Sequence, residues 1–292
     1  MSGQTLAIMA SGMVSGVGLN APASCAAIRC GIDNFQETRF MDSGGEWIIG
    51  SSVPMEKPWR GTEKLSKMLV SALQECLASD STLSLEEIPI VFCLAEKDRP
   101  GRFVELEERI FLEIQEEIGV RFHQKSSLLS YGRVGLGIAL QQARGLIYGE
   151  NIPRVIIAGA DSLLVESTLN AYEEQDRLLT SQNSNGFIPG EAAAAVLVGP
   201  TLATDEAQLL CLGVGSGVER ATGQSELPLR ADGLVQAIRA ALAEAGCSLG
   251  VIDFRITDVS GGQYSFKEAS LALSRILSST LSIFPEWKSR VT

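Results

Sequence analysis

The chain has 292 residues, 45% apolar and 20% charged, enough to bury one large core or two packed together and too apolar for a disordered chain. Its 24 basic and 35 acidic residues give a net charge of −11, which argues against nucleic acid or an anionic membrane surface as partner, since both need a basic patch. One histidine, and six cysteines at 25, 30, 76, 93, 211 and 247 without a CxxC spacing, argue against a zinc site. We expect no metal and no cofactor, and reduced, mostly buried thiols of a cytoplasmic protein.

Glycine is abundant, at 29 residues, which suggests close backbone packing and many tight turns, as in α/β enzymes. Residues 1–28 carry no side-chain charge. They lack a basic start and are broken by Gly3, Gly12, Gly16, Gly18 and Pro22, so neither a signal peptide nor a membrane span is expected.

Leu6 to Ala10 is a short apolar run closed by Ser11-Gly12, a buried strand, and Ser15-Gly16-Val17-Gly18 is a loop. Pro22 to Cys30 predicts a short helix stopped by Gly31, and Trp47 to Val53 an edge strand. Glu63 to Leu77 sets Leu65, Met68, Leu69, Ala72, Leu73 and Cys76 at helical spacing. Ile88 to Ala95 is continuously apolar, as in a central strand. Phe103 to Ile118 mixes glutamates with Phe111, Leu112, Ile114 and Ile118; a helix with a solvated acidic face explains this better than carboxylate chemistry. Ser127 to Ser130 predicts a short strand, Val134 to Tyr148 a helix, and Arg154 to Ala158 and Glu191 to Val198 two buried strands. Leu209 to Gly217 and Ile252 to Val259 read as strands, and Ala231 to Ala245 and Phe266 to Leu281 as helices. The alternation predicts an α/β fold with a largely parallel or mixed sheet. The best internal boundary is Gly199 to Asp205, and similar strand-then-glycine openings on either side of it hint at two related halves.

Generic motifs are absent. Gly213-x-Gly215-x-Gly217 lacks the third glycine spacing of a dinucleotide site, and neither a GxxxxGK[ST] phosphate loop nor a GxSxG elbow occurs. A Ser-His-Asp triad would have to use His123, which reads as a surface residue in a polar stretch. Cys93 sits in an apolar strand and reads as a core thiol.

From Val155 to Val198 the chain resembles the β-ketoacyl synthases of the thiolase superfamily. Ala158-Gly159-Ala160-Asp161-Ser162 is similar to their "AGGAE" turn, and Asp176-Arg177-Leu178-Leu179-Thr180 to their "raLs" step. Gly186-Phe187-Ile188-Pro189-Gly190-Glu191, running into Ala192 to Val198, resembles "GFvlGEGAaavvLe" and is the most specific match. Ala7 to Asn20 resembles the family's opening strand and loop, and Ala240 to Asp253 a later helix and turn. The likeness spans most of the chain but is strong over about forty residues. It implies a layered α-β-α-β-α fold of two pseudo-repeated halves, residues 1–204 and an incomplete 205–292. It also implies that Phe187, Gly190 and Glu191 are structural residues near the site.

The family's chemistry needs a cysteine at a helix N-terminus, where the dipole favours the thiolate, and two histidines, or a histidine and an asparagine, to stabilise developing charge. The resemblance puts the nucleophile position at Gly132, with Tyr131 and Arg133 as one-residue alternatives and Ser130 the nearest hydroxyl. The first histidine position falls on Ser260. We therefore expect degenerate positions and a catalytically silent protein that works by binding. Its partners would be a second copy or an active synthase, met through Ser127 to Ser130, with an acyl carrier or a type VI secretion component as further candidates. The opposing reading is a condensing (3-oxoacyl-carrier synthase) or acyl-transfer enzyme that uses Ser130 or another group in the same pocket as a non-standard nucleophile.

Overall fold

The structure, a computed structural model, describes residues 4–78, 83–223 and 225–281, the side chains of 278–281 apart. It divides into two compact units, one running from Gln4 to Cys211 and the other beginning at Leu212.

The first unit is built on a six-stranded mixed sheet in the order β5-β4-β6-β7-β1-β8. The strands are β1 (Leu6–Val14), β4 (Ile90–Cys93), β5 (Ser127–Leu129), β6 (Val155–Ser162), β7 (Glu191–Pro200) and β8 (Leu209–Cys211). β4 runs parallel to both β5 and β6, whereas β6 with β7, and β1 with β7 and β8, are antiparallel. The continuous apolar runs of β4 and β6 follow from burial on both faces. Ile90, Phe92, Ile156 and Ala158 join one core with Leu69 and Leu73 of α2 (Gly61–Leu77) and Ile110 and Ile114 of α3 (Leu106–Ile118). Val91, Val155 and Ile157 point the other way, onto Ala139 and Ala143 of α4 (Gly135–Arg144). The two-residue period of a strand thus feeds two cores at once. Each such side chain contributes about 1.5–3 kcal/mol of transfer free energy on burial.

Several expectations are corrected. The edge strand expected over Trp47 to Val53 forms at Trp47–Ser51 (β3), ends two residues early, and pairs with β2 (Phe35–Met41) in a hairpin separate from the main sheet. Asp42 builds the turn by accepting the Gly44 and Glu46 N–H groups. Helix α5 (Glu166–Glu174) had no sequence signal beyond a few apolar residues, yet it seats Leu169 and Tyr172 under the hairpin residue Ile48. Gly159 to Ser162 is not a turn: β6 continues, and Ser162 lies opposite Glu191. The cysteines are not mostly buried, since Cys25 and Cys30 are exposed on and just after α1 (Ala21–Arg29) and Cys76 alone is fully buried.

In the second unit, α6 (Asp232–Ala245) packs Val235 against Ala272 and Ile276 of α7 (Gln263–Leu281). The expected strand Leu209 to Gly217 ends at Cys211. Beyond it, Gly213, Gly215 and Gly217 press on α6 so closely that an added Cβ would lie 2.4, 1.9 and 2.0 Å from backbone oxygens of Ala241, Ala237 and Gly233. The expected strand Ile252 to Val259 is absent too. Its apolar residues find no sheet among the described residues, and Phe254 and Ile256 are 76% and 90% exposed. No helix among the described residues is long and apolar enough to cross a membrane, and no His/Cys/Asp/Glu group there could hold a metal ion.

A candidate site at the ends of the parallel strands

The parallel strands β5, β4 and β6 end on one edge of the sheet, where loops can converge functional groups. The loop after β4 carries Glu96 and Arg99, the loop after β5 carries Ser130 to Val134, and β6 ends in Asp161 and Ser162. Arg99 is only 8% exposed. Its Nε and Nη2 donate to the two Glu96 oxygens at 3.0 and 2.6 Å, and its Nη1 reaches Asp161 at 2.5 Å. Burial works against the charge on Arg99, but the hydrogen bonds and charges of Glu96 and Asp161 outweigh it and raise its pKa. Glu96 is likewise opposed by burial and held below the usual carboxylate range by Arg99, its own backbone N–H and the charge of Arg133.

Gly132 sits against this group. Its φ of +54° is left-handed, its N–H donates to Leu94 O at 3.0 Å, and an added Cβ would meet Glu96 Oε2 at 2.2 Å. Glycine satisfies both demands, for backbone and for space. Gly132–Val134 is a single 3₁₀ turn leading into α4, whose start has no side-chain cap. Tyr131 and Arg133 are exposed. Ser130 Oγ accepts from Arg102 Nη2 at 3.3 Å and donates to Glu107 Oε1 at 2.7 Å, while Arg102 and Glu107 pair at 2.7 Å. Burial would raise the Glu107 pKa, but hydrogen bonds from Arg102 and Ser130, its own backbone N–H and the Arg102 charge hold it at about 2. A carboxylate that weak a base is poorly matched to removing a serine proton.

His123 lies before the N-terminal end of β5 and accepts the Lys125 N–H on Nδ1 at 3.1 Å. Ser130 follows the other end, so the strand separates them by about 3.3 Å per residue and no triad forms. Burial pushes the Cys93 thiol up to about 11, as suits a core thiol.

Glu191 forms a second polar centre one residue along β6 from the first. It is 8% exposed. Oε1 accepts from the Val53 N–H and Ser52 Oγ, each at 2.9 Å, and from Lys64 Nζ; Oε2 accepts from Ser162 Oγ at 2.8 Å. Gly190 bridges to Ser51 and accepts the Leu163 N–H at 3.0 Å. Phe187 packs elsewhere, edge-on to Tyr172 with ring centres 5.4 Å apart. Ser260 is exposed in the second unit, in the stretch that precedes α7.

The structure therefore brings Gly132 and Arg133 to Glu96, which Arg99 links to Asp161, and places Ser130 with Arg102 and Glu107. Sequence reasoning missed Arg99, Glu96, Arg102, Glu107 and Lys64. The charged Glu96 to Arg99 stretch directly after a buried strand was the available signal.

No protein-family model and no curated protein matches the chain. Solved structures do. The chain is similar to the complex of the ketosynthase ApeO with its chain length factor ApeC from Xenorhabdus doucetiae, with a TM-score of 0.72 at 18% identity over 94% of this chain and 76% of that one. A β-ketoacyl synthase from Burkholderia phymatum STM815 gives 0.68 at 15% identity, over 93% and 78%. The ishigamide ketosynthase/chain length factor gives 0.68 at 16% identity, over 93% and 82%. The architecture is thus a mixed α/β fold of the thiolase-like kind seen in ketosynthases and chain length factors.

Proposed function

We propose that this chain is a catalytically silent protein on a ketosynthase-like scaffold, acting in the cytoplasm by pairing with a second subunit. The observation that carries this reading is the packing at Gly132, where the resemblance puts the nucleophile. Gly132 packs against Glu96 with no room for a side chain, and the neighbouring hydroxyl, Ser130, is spent between Arg102 and Glu107. Losing both a nucleophile and its base removes steps that each contribute orders of magnitude in rate.

The pairing surface in this reading is β5, which bonds only to β4 and leaves its other edge free among the described strands. Beside it Tyr131, Val134 and Leu136 are 55%, 64% and 52% exposed, an apolar margin suited to extending the sheet across a two-fold axis. That a similar structure holds a ketosynthase with its chain length factor favours a synthase as partner over a secretion component. Phe187, Gly190 and Glu191 are structural in this reading, Ser260 is a second degenerate position, and residues 1–204 and 205–292 are the two halves, 282–292 lying outside the described residues.

An acyl-thioester probe should leave the protein unlabelled under conditions that label a ketosynthase. Stable labelling that disappears in Ser130→Ala establishes the acyltransferase reading instead. Sedimentation should show a dimer, alone or with a co-expressed synthase, that Val134→Glu/Leu136→Glu dissociates; dimers unaffected by that variant rule out the β5 surface.

A further inference from the structure

A cavity of about 380 Å³ opens in the first unit between the β2–β3 hairpin, the segment 52–60 and the start of α2, a size within the range of small-molecule sites. Val53, Met55 and Phe103 give it apolar wall, and the Glu191–Lys64 pair lies at its base. The exposed cations Arg39, Lys57 and Arg60 line it as well.

The charges at the base neutralise one another, whereas at the opening three cations outnumber the single carboxylate of Glu37. The Arg39 guanidinium lies 4.8 Å from the Phe40 ring centre and the Lys57 ammonium 5.4 Å from that of Trp59. None of Arg39, Lys57 and Arg60 has a carboxylate partner among the described residues. Exposed cations are commonly no more than a solvated face. Here three of them, against one exposed carboxylate, Glu37, line one apolar-walled opening in a chain of net charge −11, and a concave site with an excess of one sign concentrates potential and counter-ions.

We propose that this cavity binds a small amphiphilic anion. Its carboxylate, sulfonate or phosphate head lies among Arg39, Lys57 and Arg60, where arginine forks match such oxygens, and its short apolar body lies against Val53, Met55 and Phe103. The site needs nothing from Ser130 or Gly132, so it stands or falls separately from the reading of catalytic silence.

Titration calorimetry on the full chain with octyl phosphate, and with octyltrimethylammonium as the cationic counterpart, tests it. Octyl phosphate should bind saturably at one site, more weakly as salt screens the cations, and the ammonium should not bind. Lys57→Glu/Arg60→Glu should weaken octyl phosphate by about tenfold or more. Arg109→Glu/Arg121→Glu, which reverses two exposed cations outside the cavity, should leave it unchanged. Both variants alter exposed side chains, and circular dichroism should match the parent. Absence of saturable binding, equal binding of the ammonium, or equal loss in the two variants overturns the proposal.

Discussion

Glu191, itself 8% exposed, accepts four hydrogen bonds, from a backbone N–H, two hydroxyls and an ammonium. Removing the carboxylate strands Lys64 and the Val53 N–H together. Glu191→Ala should cost about 3 kcal/mol, and adding Lys64→Met should recover part of that by removing the uncompensated charge. Urea unfolding of the single and double variants measures this; additive losses would mean that the pair is not coupled. Cys93 is a residue of the opposite kind. With its thiol at about 11, as Cys76 is, it is protonated at neutral pH. Iodoacetamide at pH 7.5 should modify the exposed Cys25 and Cys30 first and leave Cys93 and Cys76 until the protein unfolds. Peptide mapping by mass spectrometry reads the order, and early labelling of Cys93 would contradict a core role. Both residues were visible in the sequence, one as a glutamate before a small-residue strand and one as a cysteine in an apolar run. The partners that decide their behaviour come from 29 to 139 residues away in the case of Glu191, and no local pattern encodes them.

At the scale of elements, α3 and the loop before it form an acid-sensitive joint. Glu107 in the first turn of α3 pairs with Arg102 and receives the Ser130 hydroxyl. Its pKa is depressed to about 2, against an unfolded value near 4.3. A depressed carboxylate adds stability that is complete above the unfolded value and is lost as pH falls toward the folded one. Stability should therefore decline between about pH 4.3 and 2, and Glu107→Gln should flatten that limb of the urea midpoint against pH. In the second unit, the backbone of residues 213–217 lies on α6 with room for no side chain at Gly213, Gly215 or Gly217. Gly215→Ala should cost about 3 kcal/mol by overpacking and make residues 212–281 the preferred site of proteolysis. An alternating glycine pattern reads as a loop or a weak strand from sequence alone, because nothing local says that a helix will occupy the space those side chains leave.

For the whole molecule, the mixed sheet closes within residues 4–211, since β8 pairs with β1 through Cys211, opposite Leu6. A fragment ending at Cys211 keeps all six strands and both cores flanking the sheet, and it should unfold in one cooperative urea transition. A fragment ending at Thr204 loses β8, leaves that edge of β1 unpaired, and should be less stable and more prone to associate. If the two fragments behave alike, β8 is dispensable and the division falls nearer 204.

The sequence by itself determined the class of the fold, the helices with an apolar stripe and the strands with continuous apolar runs, because burial imposes periods of 3.6 and 2 that survive without knowledge of partners. Only the tertiary structure decided that β2 and α5 exist, that Ile252 to Val259 forms no strand, and that Gly132 is packed against Glu96. Those outcomes rest on groups distant in sequence: a strand needs a partner to share its hydrogen bonds, and a buried charge needs a counter-charge to remain where it is.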